Sequence, residues 1–246
     1  MHLSGNHYKS CRLLKSSKKS FAILAIIVGT AGIGIGTYSI ATVASTLSQT
    51  DVPTESLSSN TQESHPLILG GFPSLGARDA SVTIVEYGDY QCHNCQRFAA
   101  QTKPLIIENY INTGKAKLIF KDFTVFGSDS VNGALAAHCA GEQGKFWEMH
   151  DLMYQKQKGV NSGWLSIDNI RKFASEIDLE MPEFNSCFDG KKYVEKVAEG
   201  LNEGKILGVN GTPTFIIIDS NGEMMTLRGA QDFDTFKQVL DTMLEN

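Results

Sequence analysis

The chain has 246 residues, of which 41% are hydrophobic and 20% are charged, and its formal net charge at pH 7 is −5. This length and composition are sufficient for one well-packed domain with additional segments. The part from residue 66 onward holds 17 basic and 24 acidic residues, which gives it a net charge of −7. Because nucleic-acid binding depends on basic surfaces, these charges argue against a nucleic-acid partner.

The first 44 residues predict a signal anchor in the cell membrane. Residues 1–20 contain five Lys and Arg and no acidic side chain, and residues 21–44 are uncharged and mainly apolar. A helix of that length can cross a hydrocarbon core of about 30 Å. The basic segment then stays in the cytoplasm, and the rest of this single-pass protein lies outside. The alternative is a signal peptide cleaved near Ala44, which would secrete the domain.

Residues 45–69 are rich in Ser, Thr and Gln and predict a flexible linker before a folded domain at residues 70–246. Whether anchored or secreted, that domain is expected in a compartment where disulfides persist. A cysteine pair in it therefore does not have to be a reduced metal site.

The folded domain is predicted to begin with a buried strand followed by a helix. The strand SVTIVEY, residues 81–87, is apolar on both faces, which is typical of a central strand covered by helices. Apolar residues then recur at helical spacing from Cys92 to Ile106, with Pro104 as a kink or break. Cys92 is thus expected at the start of a helix, where free backbone amides and the helix dipole favour a thiolate.

The remaining pattern predicts an α/β domain with a helical block in its middle. A second strand is expected at residues 115–123, and a strand hairpin at residues 213–218 and 223–228. The expected helices cover residues 129–141, 145–158, 166–177, 181–188, 190–207 and 232–244.

Cys92 and Cys95 form a CxxC motif, which occurs in metal sites, structural bridges and redox pairs. A metal site needs further ligands, and the sequence has no second CxxC and no HxxxH. Gln96 follows Cys95 at the place where haem attachment requires a histidine. The pattern favours a redox pair without a metal or other cofactor. An exported metal-binding protein that delivers copper remains the alternative from another class.

Four features together resemble the DsbA-like branch of the thioredoxin superfamily, the exported thiol–disulfide oxidoreductases. They are the strand–CxxC–helix unit, an acid six residues before Cys92, the Thr-Pro pair in GVNGTPTFII, and a helical insertion that contains GKFWEMHDLMY. The resemblance implies a thioredoxin-like fold over residues 70–246, with a helical insertion at about residues 128–188. In this chain the fold would follow a single N-terminal transmembrane helix.

The resemblance also implies roles for three buried or reactive side chains. Cys92 and Cys95 are expected to be the redox pair. Glu86 corresponds to the family's buried acid, and a desolvated carboxyl with a raised pKa is suited to exchange protons with Cys95. The alternative for Glu86 is a solvated position at the end of the strand.

Four further residues are expected around the redox pair. By resemblance, Pro213 is the cis proline beside the disulfide, and the backbone of Thr212 binds an incoming substrate strand. His93 and Asn94, between the cysteines, are expected to contact substrate and to tune the redox potential. The family usually has proline where this chain has His93, and that histidine either stabilises the thiolate or is simply solvated.

The function that the resemblance implies is the introduction of disulfides into cysteine-containing exported proteins by thiol–disulfide exchange. Its reoxidation would come from a membrane quinone-linked protein of DsbB or vitamin-K-epoxide-reductase type. A disulfide reductase or isomerase with the same site is the alternative, because the dipeptide between the cysteines does not determine the direction of exchange.

Cys139 and Cys187 are the remaining cysteines of the part expected to be exported. An even number of thiols in an oxidising compartment favours pairing, and both cysteines flank the helical insertion. They are predicted to form a structural disulfide, with two separately buried thiols as the alternative. His138 and His150 are expected to be structural.

Overall fold

The structure is a computed structural model that describes residues 65–246. The predicted cytoplasmic segment 1–20, the anchor 21–44 and most of the linker lie outside the described residues and stay predictions. Within residues 65–246, no helix combines the length and the apolar character needed to cross a membrane.

A mixed five-stranded sheet with the order β1–β3–β2–β4–β5 forms the centre of the domain. The central strand β2 is parallel to β3 and antiparallel to β4, and the edge strands β1 and β5 pair antiparallel with their neighbours. Every residue of β2 is buried, which confirms the prediction for SVTIVEY. The strands are β1 Ser74–Leu75, β2 Val82–Gly88, β3 Ala116–Asp122, β4 Thr214–Ile218 and β5 Met224–Arg228.

The helix that follows β2 runs without interruption over residues 93–111 and is called here the first helix. It does not break at Pro104, although its hydrogen-bond register changes twice. Proline lacks the N–H of a regular helical hydrogen bond, and a π-helical turn just before it accommodates this loss. The segments are α1 His93–Arg97, a π-helical turn Phe98–Thr102, α2 Lys103–Ile106 and a second π-helical turn Ile107–Ile111.

Four helices form the insertion between β3 and the last two strands, and two more cover the sheet. They occupy the places predicted for them, except that the helix expected from residue 190 begins at Val194. Their bounds are α3 Ser128–Gly141, α4 Phe146–Lys156, α5 Ile167–Glu176, α6 Met181–Asp189, α7 Val194–Ile206 and α8 Phe233–Glu245.

Apolar side chains cover both faces of the sheet. On one face, β2 and β4 pack against Phe98 of the first helix and Phe236 of α8. On the opposite face they pack against Leu67 and Phe72, which precede β1, and against Leu201 of α7. The central strand is therefore enclosed between two layers, and a polar group on it is removed from water.

The predicted flexible linker extends too far, because residues 65–69 belong to the packed domain. The amide of Ile68 donates a hydrogen bond to the carbonyl of His65, and Leu67 is buried with Phe72 against the sheet. These apolar side chains cover a face that would otherwise contact water, which stabilises their ordered position.

Candidate active site

The CxxC motif occupies the junction between β2 and the first helix. Cys92 is the extended residue just before α1, its amide donates to the carbonyl of Asp89, and its own carbonyl accepts from the amide of Gln96. Both Cys92 and Cys95 are free thiols, with 6% and 0% of each residue exposed. Cys92 therefore meets the unpaired amides of a helix N-terminus, as the sequence predicts.

The two thiols have opposite acidities. A hydrogen bond from the Cys95 thiol is the largest effect on Cys92, and it opposes burial in lowering the pKa of Cys92 from 9.0 to about 6. Thr212 and the backbone amides of Cys95 and Asn94 lower that pKa further. Burial raises the pKa of Cys95 well above its ordinary value. At neutral pH, Cys92 is therefore a nucleophilic thiolate and Cys95 a protonated thiol.

The loop before β4 places Thr212 and Pro213 beside the redox pair. β4 is the antiparallel neighbour of β2, so its first residues lie opposite the end of β2. The Thr212–Pro213 peptide bond is cis. When Cys92 is protonated, its thiol donates a hydrogen bond to the carbonyl of Thr212 at 3.2 Å. The backbone expected to bind substrate is thus in contact with the reactive sulfur.

Glu86 lies on β2 and is buried below the redox pair. Only 1% of the residue is exposed, and neither carboxyl oxygen has a hydrogen-bond partner within the described residues. Burial raises the pKa of Glu86 from 4.5 to about 8, the charge of Lys103 opposes this rise, and those of Asp151 and Cys92 add to it. The structure therefore places Glu86 in the core rather than at a solvated strand end. Its carboxyl can exchange a proton near neutral pH.

A charged cluster next to Glu86 was not predicted from the sequence. Nζ of Lys103 pairs with the carboxylate of Asp151 and lies 3.4 Å from Nδ1 of His150. Nδ1 of His150 is 2.7 Å from Oδ1 of Asp151. Lys103 and His150 are buried, whereas Asp151 is half exposed. Lys103 lies three residues before the buried Ile106 and so on the same helix face, a spacing that indicates a buried position for the lysine.

A second set of polar contacts, also missed from the sequence, holds the turn before α1. The carboxylate of Asp89 is buried and accepts hydrogen bonds from three backbone amides and from the hydroxyl of Ser130. Nε2 of Gln157 donates to the carbonyls of Tyr90 at 2.7 Å and Cys92 at 3.0 Å. These contacts connect the turn to the start of α3 and the end of α4 and so fix the position of Cys92.

The two residues between the cysteines are exposed. The side chain of His93 borders a groove of about 920 Å³ between the first helix and α4. The interactions that lower the pKa of Cys92 do not include this side chain, so the solvated alternative fits His93 better. Asn94 contributes its backbone amide to Cys92. Contact of His93 and Asn94 with substrate stays a prediction.

Cys139 and Cys187 are joined by a disulfide that connects α3 with α6. Their sulfur atoms are 2.00 Å apart, and both residues are buried in the core of the helical insertion. Next to this disulfide, Nε2 of His138 lies 2.7 Å from Oδ2 of Asp122, which ties α3 to the end of β3. These positions agree with structural roles for the pair and for His138.

No group of three or more His, Cys, Asp or Glu side chains within residues 65–246 is arranged to hold a metal ion. A thiolate at a helix start, a buried second thiol and a buried acid instead define a class of protein, the thiol–disulfide oxidoreductases.

Comparisons with known proteins agree with this class. A family model described as Thioredoxin matches residues 70–242. The probable disulfide bond formation protein D of Bacillus cereus is 33% identical over 178 residues, which cover 70% of this chain and 78% of that protein. The disulfide bond formation protein D of Bacillus subtilis is 26% identical over 180 residues, which cover 71% and 78%.

Solved structures share the fold. The crystal structure of oxidised BdbD from Bacillus subtilis superposes with a TM-score of 0.65 at 24% identity, covering 72% of this chain and 94% of that chain. The chain belongs to the DsbA-like thiol–disulfide oxidoreductases of the thioredoxin superfamily.

Proposed function

We propose that this enzyme is an exported, membrane-anchored thiol oxidase that introduces disulfides into cysteine-containing secreted or surface proteins. The observation that carries the proposal is the lowered pKa of Cys92 above a buried Cys95 thiol. A stabilised thiolate stabilises the dithiol form of the enzyme. An enzyme whose dithiol form is favoured passes its disulfide on to substrates.

The acidity of Cys92 supplies only part of the oxidising power. With a pKa of about 6 instead of 9.0, the thiolate stabilises the dithiol form by about 1 kcal/mol at pH 7. For a two-electron couple this raises the reduction potential by about 20 mV, whereas strong oxidants and reductants of the superfamily differ by about 150 mV. The remaining difference depends on how the rest of the folded domain responds to the disulfide.

The proposed mechanism is thiol–disulfide exchange at the Cys92 sulfur. A substrate thiolate attacks that sulfur in the oxidised enzyme, and Cys95 leaves with the electron pair and takes a proton from Glu86. A second substrate thiolate then attacks the substrate sulfur of the mixed disulfide. The substrate leaves with a new disulfide, and Cys92 leaves as a thiolate. The backbone of Thr212 holds the substrate strand during exchange.

We assign reoxidation to a membrane quinone-linked protein of DsbB or vitamin-K-epoxide-reductase type. The names of the relatives, disulfide bond formation protein D, support the oxidising direction. The apolar segment 21–44 supports an anchor that keeps the domain beside a membrane-bound partner. Protease added to intact cells or opened envelopes should digest the domain. A domain that resists the protease as cytoplasmic proteins do contradicts this location.

The reduction potential of the Cys92–Cys95 pair tests the direction. The protein is equilibrated with glutathione buffers and alkylated, and peptide mapping then scores this pair separately from Cys139 and Cys187. An oxidase is expected above about −180 mV, between protein disulfide isomerase and DsbA. A value near that of thioredoxin, about −270 mV, contradicts the oxidase and supports a reductase.

A further inference from the structure

The cluster of Lys103, His150 and Asp151 has no part in the exchange steps described above, although it adjoins the site. Lys103 is the first residue of α2, and the other two residues lie in the middle of α4. The Lys103 side chain is 4% exposed and is held at one end by the Asp151 carboxylate, which also accepts a hydrogen bond from Nδ1 of His150 at 2.7 Å. Its positive charge is therefore fixed at one place in the core.

The cluster packs beside Glu86, because the His150 ring lies 4.9 Å from the ring of Phe120, the β3 residue that pairs with Glu86 in the sheet. Because no hydrogen bond holds the Glu86 carboxyl within the described residues, burial and neighbouring charges determine its ionisation. Lys103 favours the carboxylate form, and Asp151 opposes it. The ionisable groups that interact with Glu86 come from the turn, the first helix and α4, and they are Tyr90, Cys92, Cys95, Lys103, Asp151 and Tyr154.

The cluster also reaches solvent. Lys103 and Asp151 line the groove of about 920 Å³ that His93 borders. The Asp151 side chain is 45% exposed, so the cluster extends from water to the buried lysine. Asp151 has a strongly acidic carboxyl, because hydrogen bonds and charges from His150 and Lys103 outweigh burial and lower its pKa to about 2. It thus remains an anion that anchors Lys103 throughout the neutral range.

We propose that Lys103 is a positioning residue for the exchange step at Cys95, in which its ammonium group, held by the Asp151 carboxylate that His150 orients, sets the ionisation of Glu86. This inference rests on the proposed roles of Glu86 and Cys95 and deepens them. Among the described residues, Lys103 is the cation that favours the Glu86 carboxylate. Its loss would make the carboxylate less stable and the carboxyl a poorer proton acceptor at neutral pH.

The step concerned closes the Cys92–Cys95 disulfide when an oxidising disulfide recharges the enzyme. Cys92 first forms a mixed disulfide with one sulfur of the oxidant. Cys95 then passes its proton to the Glu86 carboxylate, and its sulfur bonds to the Cys92 sulfur. The oxidant's sulfur leaves as a thiolate with the electron pair, so that the enzyme is oxidised and the oxidant reduced. The rate of this closure should follow the fraction of Glu86 that is ionised.

Closure is measured on the reduced full-length protein mixed with oxidised glutathione. Acid quenching and mass spectrometry follow the decay of the glutathione mixed disulfide as a function of pH. Lys103→Met should move the midpoint of the rate profile to higher pH, while Lys103→Arg should restore it. Asp151→Asn should move it to lower pH, because the amide oxygen can still accept from Lys103 while the negative charge that opposes the Glu86 carboxylate is removed. Below the midpoint, each pH unit of upward shift lowers the rate about tenfold, because only the carboxylate accepts the proton.

Lys121→Met provides a matched control. Lys121 is also buried and paired with a carboxylate, that of Glu203 at 2.5 Å, but it lies over Phe72 on the opposite face of the sheet. Replacement of Lys121 should leave the midpoint of the pH–rate profile at the wild-type value. Shifts of opposite sign in the Lys103 and Asp151 variants cannot arise from a general loss of packing, which would affect both variants in the same direction.

Two results overturn the proposal. One is a Lys103→Met protein that folds and keeps the wild-type midpoint. The other is an Asp151→Asn protein whose midpoint does not move to lower pH. Because Asp151 is half exposed, this variant should fold even where Lys103→Met does not. Glu86→Gln separates this proposal from the proposed function. If Glu86→Gln closes the disulfide with the wild-type pH profile, the role of Glu86 itself is wrong. If Glu86→Gln loses the pH profile but the Lys103 and Asp151 variants keep the wild-type midpoint, only the positioning role of Lys103 fails.

Discussion

Cys95 lies three positions after Cys92, and this spacing places two identical side chains in environments that give them different acidity. Cys92 precedes the helix and is reached by backbone amides, whereas Cys95 lies almost one turn further and points into the core. The same contact that stabilises the Cys92 thiolate, a hydrogen bond from the Cys95 thiol, makes Cys95 harder to ionise. Each thiol therefore defines the other's acidity.

Replacing each cysteine should separate these roles. In Cys95→Ser, no internal thiol can attack a mixed disulfide at Cys92, so covalent adducts with substrates should accumulate; Cys92→Ser should form none. Non-reducing gels and mass spectrometry of cell extracts measure both results. In the reduced wild type, alkylation of Cys92 should rise with pH around its pKa of about 6, while Cys95 reacts slowly. Equal alkylation of both thiols contradicts the assignment.

The part of the site predictable from the sequence is the part carried by short local motifs. Glu86, Cys92 and Cys95 lie within ten consecutive positions around one strand end, and Thr212–Pro213 is a single dipeptide. Lys103 and Asp151 meet only because α2 and α4 pack together. Lys103 belongs to none of the motifs, and Asp151 lies in GKFWEMHDLMY, which gives it no role of its own. A single sequence has no signal for which distant helices will be neighbours.

At the scale of elements, the predictions succeeded where apolar periodicity extended over several residues. The strand Ser74–Leu75 was missed because two residues are too few to show a period. It exists through tertiary pairing, since it lies antiparallel to Leu118 and Ile119 of β3. The π-helical turns of the first helix were missed for a similar reason, because apolar spacing does not report the hydrogen-bond register.

The helical insertion depends on the bond between α3 and α6. A double replacement of Cys139 and Cys187 by Ala should lower the free energy of unfolding by about 2–4 kcal/mol, because the unfolded chain then loses a crosslink across a sequence separation of 48 residues. Urea titration of the protein with Cys92 and Cys95 reduced measures this loss of stability. A matched double Ala variant at Cys92 and Cys95, which are free thiols in the structure, should lose much less, and equal losses in the two variants contradict a structural role.

Close packing of α7 on β3 requires a small residue at Gly200. A Cβ atom at this position would lie 2.7 Å from the carbonyl oxygen of Asp122, and backbone at the end of a strand cannot easily shift. Gly200→Ala should therefore destabilise the domain by about 1–3 kcal/mol, although alanine favours helix by up to about 1 kcal/mol. Thermal or urea unfolding measures the change.

Gly141 offers a control for this prediction, because it is also a helical glycine. Its added Cβ would lie 3.4 Å from Cβ of Phe146, which is ordinary contact. Gly141→Ala should then be neutral or slightly stabilising. A Gly200→Ala protein as stable as Gly141→Ala would show that α7 can move away from β3 at little cost.

At the scale of the whole molecule, the central sheet separates two buried charged regions. The face toward the first helix and α4 holds Glu86 and Lys103, which belong to the site. The opposite face holds Lys121 and Glu203, whose pair joins β3 to α7. The second pair binds two elements of the scaffold together, while Glu86 on the first face has no hydrogen-bond partner in the described part of the chain and can change its protonation.

The stability of the whole domain should depend on the redox state and on pH. Folding lowers the pKa of Cys92 from 9.0 to about 6, so its contribution to the dithiol form is complete above about pH 9 and is lost as the pH falls through 6. If the oxidase proposal holds, the domain reduced only at Cys92–Cys95 should melt above the oxidised domain. At pH 7 the thiolate accounts for about 1 kcal/mol, or about 2–4 °C of that difference.

Calorimetry at about pH 5 and pH 7.5, with the Cys139–Cys187 bond intact, measures this gap. It should narrow at the lower pH, because the Cys92 thiolate is protonated there in both the folded and the unfolded chain. Glu86, whose pKa is raised to about 8 by burial, destabilises the fold increasingly as the pH rises above about 4.5. That effect is present in both redox forms, and a Cys92→Ser, Cys95→Ser double variant records it alone. A melting-temperature difference between the two redox forms that does not change with pH contradicts a stabilising role for the Cys92 thiolate. An oxidised form that melts higher at both pH values indicates a reductase.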